Sequence, residues 1–481
     1  MLYNSLSYLV FFALVFAAYW SLRGHRARMG LLLLASWVFY AAWYPSYLLL
    51  FIVVTAMTYA AGVWIENWTD RGRVVQRRIV VGAIVIDLAM LAFFKYAGFL
   101  LDTAASIDRL FGGEFAPPRL HVVLPLGISF YTFQSIAYIV DVYRGEVVAI
   151  RNPLKLALFK AFFPQLIAGP IVRATELVPQ FAEKRRASAG QFAEGLDLVA
   201  VGLIKKVVIA DQIASFADKV FAHPESFSSI VLLLGVYAYS AQIYCDFSGY
   251  TDIGRGCAKL LGYELPLNFN FPYVSVNIVD FWRRWHISLS RWLRDYLYIP
   301  LGGSRRGKVR TYVNLLITMV LGGLWHGANW TFVAWGALHG VALALTRLVH
   351  DVTKSPAEEP LFQGRLYRSF AVLLTFHLVC IGWVFFRAPT FTVATDVLRG
   401  IVVYRRIGAA DLAVFGWITV GVTAASLCAA YAVHLFAYAR PLLLTSGRKA
   451  MVSRAVLYAV CVIAVTLFAG RGSQQFIYFQ F

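Results

Sequence analysis

The chain has 481 residues, of which 60% are apolar, 16% are aromatic and only 14% are charged. Soluble globular proteins contain about half apolar and about a quarter charged residues, so this composition excludes a soluble protein and indicates an integral membrane protein. Lysine and arginine exceed aspartate and glutamate by 19, since the chain has 44 of the first and 25 of the second. The excess lies in loops between apolar segments, where the positive-inside rule explains it, so we expect membrane lipids and no nucleic acid as partners.

Apolar windows long enough to cross a bilayer as helices recur along the chain. They occupy residues 5–22, 46–65, 79–101, 227–245, 311–325, 329–348, 369–388, 413–436 and 454–470. Shorter or interrupted apolar stretches at 29–43, 122–140, 154–172 and 194–210 are typical of tilted spans or re-entrant segments. The sequence therefore predicts an all-α polytopic protein with about 11 to 13 membrane helices. No repeat of fixed period is visible, and we expect a single membrane domain over residues 1–481.

The basic loops predict which ends of these helices face the cytoplasm. Arginine and lysine cluster at RGHRAR (23–28), in residues 71–78 and at EKRR (183–186), and such loops remain on the cytoplasmic side. The segment 5–22 has no basic region before it and no small-residue cleavage site, so we expect a retained helix and not a signal peptide.

Residues 281–310, FWRRWHISLSRWLRDYLYIPLGGSRRGKVR, combine many arginines with aromatic side chains. An apolar stripe at helical spacing comprises Trp282, Trp285, Leu289, Trp292, Leu293 and Tyr296. The arginines lie largely off this stripe, which predicts one interfacial helix in the membrane plane on the cytoplasmic side. His286 lies on the apolar side, where it is either an amphipathic side chain at the level of the headgroups or part of a site.

His326 is an ionisable residue at the end of the apolar run 311–325, in the sequence GGLWHGANW. Polar groups at membrane depth are costly and tend to be kept for function, although a buried histidine can also be satisfied by a backbone carbonyl. Asn329 lies one helical turn further on and could bond to the ring. His339 could face the same cavity or be a packing residue.

Asp246 and Asp252 follow an apolar span in YCDFSGYTDIGRG (244–256). They could bind a cation or orient a base, or they could cap a helix or pair with nearby arginines. The five cysteines form no CxxC pair, and the chain contains no GxxxxGK[ST], GxSxG or HExxH motif, so we expect no metal site. A histidine beside a membrane-embedded cavity then suggests general-base acyl transfer.

Four motifs together closely resemble the membrane-bound O-acyltransferase family. They are YCDFSGYTDI (244–253), LNFNFPY (267–273), FWRRWHISLSRWLRDYLYIPLGG (281–303) and GGLWHGANWTFVAWGALHG (322–340). The resemblance is greatest to the bacterial polysaccharide branch, which includes alginate O-acetylases. It extends from SLSYLVFF near the N-terminus to the closing QFIYFQF and so covers essentially the whole chain, with the core motifs at 244–340.

This resemblance implies a fold and a mechanism. The fold is a ring of membrane helices, with re-entrant and interfacial helices, around a central tunnel where a cytoplasmic funnel meets an outer opening. The essential histidine of the WHG motif matches His326, flanked by Trp325 and Gly327, and the second motif histidine matches His286. Such enzymes take an acyl group from a donor inside the cell and deliver it to an acceptor outside or in the membrane.

The resulting hypothesis is an O-acetyltransferase of the bacterial inner membrane. His326 would act as general base on a hydroxyl that attacks acetyl-CoA, with His286 as a second catalytic residue and Asn329 holding the ring or polarising the carbonyl. Arg283, Arg284 and Arg291, with Trp325, would bind the donor, which is a substrate and not a bound cofactor. The arginines could equally anchor the protein to lipid headgroups.

The acceptor would be an exported polysaccharide such as alginate or cellulose, or a periplasmic relay protein that passes the acetyl group on. Within the family, the alternatives are transfer of D-alanyl groups or of acyl chains to lipids or proteins. From another class, a secondary transporter also has many membrane helices with buried polar groups.

Overall fold

A computed structural model describes residues 1–69, 72–118, 122–166, 169–186, 188–353, 364–408, 411, 427, 431 and 448–468. The chain divides into two compact units. The first comprises Met1–Leu196 with Gly254–Pro266, and the second comprises Asp197–Ile253 with Leu267–Phe481. The prediction of a single domain stays a prediction.

The secondary structure of the described residues is helical throughout, which confirms the predicted all-α class. The helices of the first unit are α1 (Leu6–Ser21), α2 (His25–Ala41), α3 (Pro45–Asn67), α4 (Arg73–Leu91), α5 (Ala97–Leu110), α6 (Ile128–Arg144), α7 (Pro153–Ala161), α8 (Phe163–Leu166) and α9 (Ala174–Leu177). Two helices belong partly to each unit, α10 (Ala189–Leu203) and α12 (Ser229–Leu260). The second unit further contains α11 (Asp211–Ala222), α13 (Ile278–Arg284), α14 (Ile287–Leu293), α15 (Lys308–His326), α16 (Trp330–Thr353), α17 (Arg365–Arg387), α18 (Phe391–Val402) and α19 (Arg448–Phe468).

Six described helical segments are long and apolar enough to cross a membrane, and the shorter apolar helix α1 accompanies them. The six segments are Pro45–Asn67, Arg73–Leu110, Ser229–Leu260, Trp330–Thr353, Arg365–Arg387 and Met451–Phe468. They coincide with predicted windows, which confirms a multi-pass membrane protein. The predicted window 413–436 lies outside the described residues apart from Leu427 and Tyr431. The total of about 11 to 13 spans stays a prediction.

The core of the first unit is aromatic and contains the buried ammonium group of Lys160. The Tyr3 hydroxyl donates to the Phe163 backbone oxygen at 2.8 Å, which links the N-terminus to α8. Lys160 on α7 is 1% exposed, and its ammonium donates to the hydroxyls of Thr58 and Ser135. These hydroxyls replace the water that the ammonium loses on burial, because a buried charge is costly unless it is hydrogen-bonded.

Helices α15 and α16 form a closely packed hairpin in the second unit because glycines line their interface. A Cβ atom on Gly323 would lie 2.2 Å from the Phe332 backbone oxygen, and one on Gly336 would lie 2.3 Å from that of Met319. No larger residue fits at either position without moving a backbone, as is common where membrane helices approach closely. This contact fixes the C-terminal end of α15, where His326 lies, against the first turns of α16.

The predicted interfacial helix is wrong as one continuous element, although its apolar stripe is correct. The segment forms α13 and α14, separated at Trp285 and His286, and a π-helical turn over Arg294–Tyr298 follows. His286 has a left-handed backbone with φ of 41°, which ends the α-helical path. The stripe residues Trp282, Trp285, Leu289, Trp292 and Leu293 are buried.

The break between α13 and α14 has a backbone cause. The N–H of Asn270 donates to the Arg284 carbonyl at 2.9 Å, and the N–H of Ile287 donates to the Asn268 carbonyl at 2.9 Å. The non-helical segment at residues 268–270 therefore takes hydrogen bonds that a continuous helix would make internally. Helical periodicity alone could not reveal this competing partner.

Four cysteines are free thiols with buried side chains, Cys245, Cys257, Cys380 and Cys461. Among the described residues, no group of three or more histidine, cysteine, aspartate or glutamate side chains could hold a metal ion.

Candidate active site

His326 is the last residue of α15 and is 4% exposed. Its ring contacts those of Trp325, Trp335 and Phe386, with centroid distances of 5.0, 5.1 and 5.1 Å. The next residue must be glycine, since a Cβ atom on Gly327 would lie 2.1 Å from the Phe332 ring. Aromatic rings thus enclose the histidine at the end of α15, and only glycine fits at the next position without displacing the Phe332 ring.

Trp325 brings the two predicted motif histidines together. Its ring centroid lies 5.0 Å from that of His326 and 6.2 Å from that of His286. The two histidines come from different elements, the end of α15 and the break before α14. The sequence predicted both residues, and the structure places them around one indole.

Asn268 orients His286, a role that the sequence pattern does not reveal. The Asn268 side-chain oxygen accepts from the backbone N–H of Ser288 at 3.1 Å and from the Ser288 hydroxyl at 2.9 Å. A backbone N–H can only donate, so this amide atom is the oxygen. His286 Nδ1, 3.3 Å from the same oxygen, must therefore carry a proton and donate it. In the neutral ring the lone pair is then on Nε2, as a base requires.

His286 is kept neutral by its surroundings. It is 0% exposed, and the rings of Phe247 and Phe269 lie 4.8 and 6.3 Å from its own. Burial disfavours the charged imidazolium and lowers the pKa of His286 to about 3. The predicted position at the level of the headgroups is wrong, since the ring lies inside the protein and has no exposed tip.

His339 on α16 has the opposite tautomer. Its Nδ1 accepts a hydrogen bond from Trp282 Nε1 at 3.3 Å, and an indole N–H can only donate. The proton of the neutral ring is therefore on Nε2. The ring also lies 4.8 Å from that of Trp335, which in turn contacts His326. His339 is a packing residue, which is one of the two alternatives that the sequence predicted. Trp335 contacts both its ring and that of the candidate base, His326.

Asn329 caps α16. Its side-chain nitrogen donates to the Pro389 carbonyl at 2.9 Å, and its side-chain oxygen accepts from the Thr331 N–H at 3.0 Å. This use of both ends is typical of a residue at a helix start. Its catalytic role stays a prediction that these contacts do not favour.

A cavity of about 630 Å³ lies beside α13, α14 and α15. Its lining combines an apolar interior with four arginines, Arg283, Arg291, Arg294 and Arg347. Two of the predicted donor-binding residues, Arg283 and Arg291, thus face this cavity. Arg284 instead pairs with Asp280 at 2.7 Å, and Trp325 lies between the histidines. Trp282 connects the two regions, because it lines the cavity and donates to His339.

Buried ion pairs hold α12 in place. Lys206 lies 2.8 Å from Asp211 and 2.7 Å from Asp246, and all three side chains are at most 4% exposed. Lys205 pairs with Asp252 at 2.7 Å. Of the predictions for Asp246 and Asp252, ion pairing is correct, although the partners are lysines and not arginines.

The chain matches a family model described as the membrane-bound O-acyltransferase family over residues 148–357, which include all three histidines of the site. It is 47% identical over 395 residues to a probable alginate O-acetylase of Pseudomonas aeruginosa, covering 82% of this chain and 73% of that protein. It is 40% identical over 397 residues to a peptidoglycan O-acetyltransferase of Helicobacter pylori, covering 77% and 73%.

A more distant relative, a teichoic acid D-alanyltransferase of Bacillus subtilis, is 30% identical over 287 residues, covering 57% of this chain and 71% of that protein. All three relatives are named as enzymes that transfer an acyl group, and this supports an enzyme over the transporter hypothesis. The chain belongs to the membrane-bound O-acyltransferase family and is an O-acyltransferase.

Proposed function

We propose that this enzyme transfers an acetyl group from acetyl-CoA to hydroxyl groups of an exported polysaccharide, with His326 as the general base. The observation that best supports this proposal is that the rings of His326 and His286 both contact Trp325, in a chain of the acyltransferase family. The relatives with the higher identities are named as acetyl transferases that act on alginate or peptidoglycan. A glycan acceptor and an acetyl group are therefore favoured over D-alanine, which the relative at 30% identity transfers by its name.

In this mechanism a neutral His326 takes the proton from the acceptor hydroxyl as its oxygen attacks the thioester carbonyl carbon. The tetrahedral intermediate collapses with cleavage of the carbon–sulfur bond, and the imidazolium returns the proton to the departing thiolate. General-base catalysis of this kind contributes roughly 10²- to 10⁴-fold to the rate.

The donor would bind in the arginine-lined cavity. Coenzyme A carries phosphate groups, and guanidinium groups match phosphate oxygens with paired hydrogen-bond donors. Arg283 and Arg291 supply such groups at one cavity with an apolar interior for the pantetheine chain, and Arg347, which pairs with Asp351 at 3.2 Å, lines the same cavity. The predicted position of residues 281–310 on the cytoplasmic side of a bacterial inner membrane would put this cavity where acetyl-CoA is made. The acceptor is then the polymer or a relay protein on the periplasmic side.

The test compares cells that carry wild-type enzyme, His326→Ala or His223→Ala, with ester-linked acetate measured on the exported polymer. His223 has a side chain that is 72% exposed, which makes it a matched control. We expect His326→Ala to reduce acetylation at least roughly 10²-fold and His223→Ala to leave it unchanged. Wild-type acetylation with His326→Ala, at equal protein in the membrane, would refute the assignment of the base.

The donor is tested separately with purified enzyme and acetyl-CoA. The wild type should release free coenzyme A when an acceptor glycan is present, and His326→Ala should not. Equal release by both proteins would contradict the proposed chemistry.

A further inference from the structure

The arginine-lined cavity follows one face of α15 toward the candidate base. Thr311, Leu315 and Met319 on this helix line the cavity, and they recur every four residues, so they share a face. His326 lies on the same face, seven residues beyond Met319. At the helical rise, this separation is about 10 Å, or two turns. The cavity therefore ends about two turns before His326, on the face that carries it.

Helix α16 gives the same direction. Arg347 and Leu343 line the cavity. Two further steps of four residues along this helix lead to His339 and then to Trp335. The Trp335 ring lies 5.1 Å from that of His326. On both helices, the faces that line the cavity thus continue to the candidate base.

Three buried side chains line the end of the cavity that is nearest to the base. They are Trp282, Leu293 and Met319, which we call the inner wall. The Trp282 ring lies 5.7 Å from that of Trp335, which in turn contacts His326. The inner wall therefore separates the cavity from the rings that enclose the base.

Leu293 of the inner wall packs on Gly322, which lies on α15 one turn before His326. A Cβ atom on Gly322 would lie 3.1 Å from Leu293 Cδ1. Leu293 thus covers the part of α15 between the end of the cavity and the base. An acyl group that moves along this face must displace the Leu293 side chain. A leucine can change rotamer, whereas Trp282 is held by its hydrogen bond to His339.

We propose that Leu293, packed on Gly322, restricts the acyl donor to acetyl and excludes longer acyl groups. This inference rests on the proposed function. A change of rotamer over Gly322 admits the thioester carbonyl and one methyl group to His326. Each further methylene must fit into closely packed surroundings, where added volume forces side chains out of their rotamers. One methylene in an apolar site typically changes kcat/KM roughly 10- to 200-fold.

The first test measures kcat/KM of purified enzyme for acetyl-CoA and butyryl-CoA, with an acceptor glycan present. The wild type should prefer acetyl-CoA by at least roughly 10²-fold, since butyryl has two more methylenes. Leu293→Ala should reduce this preference at least roughly tenfold, because it removes the side chain that a longer group meets. The ratio for two donors on one protein does not depend on how much of that protein is folded.

Leu289→Ala is the matched control. Leu289 is a buried leucine of the same helix, and it is outside the set of described residues that line the cavity. This variant loses similar packing and should keep the wild-type donor ratio. Leu293→Val, a smaller change, should give an intermediate ratio and serves if Leu293→Ala does not fold. A wild-type ratio in both Leu293 variants would overturn the proposal.

The second test changes the other side of the contact, through Gly322→Ala. Alanine favours a helix more than glycine does, but its methyl group would crowd Leu293. We expect acetyl transfer to slow roughly tenfold. Adding Leu293→Ala to this variant should restore most of the rate, a coupling typical of residues in contact. A double variant as slow as the two single effects multiplied together would contradict the role of this contact.

The same assays separate this inference from the proposed function. An active Leu293→Ala with an unchanged donor ratio contradicts the role of Leu293 and leaves the donor and the base intact. Failure of the wild type to release coenzyme A from acetyl-CoA contradicts the proposed donor, and the selection of its acyl group with it. Full activity of His326→Ala contradicts the proposed base.

Discussion

The second unit contains two buried polar regions that are built in different ways. In the ion network, Lys206 lies within 2.8 Å of Asp211 and Asp246, so charge meets charge inside the protein. In the histidine cluster, which comprises His286, His326 and His339, the two outer rings are each held through Nδ1 by a neutral neighbour. In the ion network the charged groups pair with one another. In the cluster, neutral neighbours fix the tautomers of His286 and His339, and uncharged ring nitrogens remain suited to proton transfer. We therefore expect changes to the network to affect folding and changes to the cluster to affect turnover.

The largest expected effect is on the ion network, through Lys206→Met. Removing the cation leaves two buried carboxylates without compensation, which should destabilise the fold by about 3–5 kcal/mol. The measurement is the melting temperature of purified protein in detergent, together with the yield of inserted protein. Lys205→Met is the matched control, because the side chains of Lys205 and Asp252 are 23% and 14% exposed. Loss of this partly exposed ion pair should lower the free energy of unfolding less. Similar melting temperatures for both variants would remove the distinction between the regions.

The next effect is on the histidine cluster, through Asn268→Leu. Without the amide oxygen, nothing selects the proton position on His286, and we expect turnover to fall roughly 10²-fold. The Asn268→Asp variant keeps an acceptor but adds a negative charge, which should raise the pKa of His286 and move the acid limb of the pH–rate profile upward. If Asn268→Asp kept the wild-type profile while Asn268→Leu lost activity through unfolding, Asn268 would be a packing residue.

Acidification should destabilise the folded state through His286. Burial lowers the pKa of this ring from 6.5 to about 3, so the unfolded chain binds a proton below pH 6.5 while the folded chain does not. Stability contributed by the neutral ring is thus lost as pH falls, by about 1.4 kcal/mol per pH unit at most. The melting temperature between pH 7 and pH 4.5 should fall more steeply for wild type than for His286→Gln. Parallel curves would contradict the shift.

The smallest effect is expected at Arg283, which lines the cavity proposed for the donor. Arg283→Met should raise KM for acetyl-CoA roughly threefold, since an exposed charge contributes modestly in water. Arg284→Met is the control, because Arg284 pairs with Asp280. The KM values should differ less at high salt, which screens both groups. A larger rise with Arg284→Met would place the donor elsewhere.

The sequence predicted the membrane class and the positions of the histidine motifs because each leaves a local pattern. Apolar windows matched the six long apolar helical segments of the described residues, and the sequence GGLWHGANW predicted a histidine among glycines, where His326 ends α15. The apolar stripe from Trp282 to Leu293 was also correct, because burial follows helical spacing even across a break.

The remaining features depend on contacts between distant parts of the chain. Asn268 contacts His286 because residues 268–270 take backbone hydrogen bonds that a continuous helix would otherwise make. Helical periodicity in the sequence cannot predict this pairing. Arg347 reaches the cavity from α16, far along the sequence from α13 and α14. The spacing of Asn329 from His326 predicts a contact between the two side chains, whereas the Asn329 side chain caps the start of α16.

The burial of Cys245, Cys257, Cys380 and Cys461 offers a practical route to the orientation of this protein in the bilayer. Thiol-reactive dyes that cannot cross a membrane have little access to these four sulfurs. Replacing the fifth cysteine, Cys428, which lies outside the described residues, removes the remaining thiol before single cysteines are introduced at the basic loops. Labelling of intact cells against opened cells would then report which loops face inward, with no fusion partner attached to the chain.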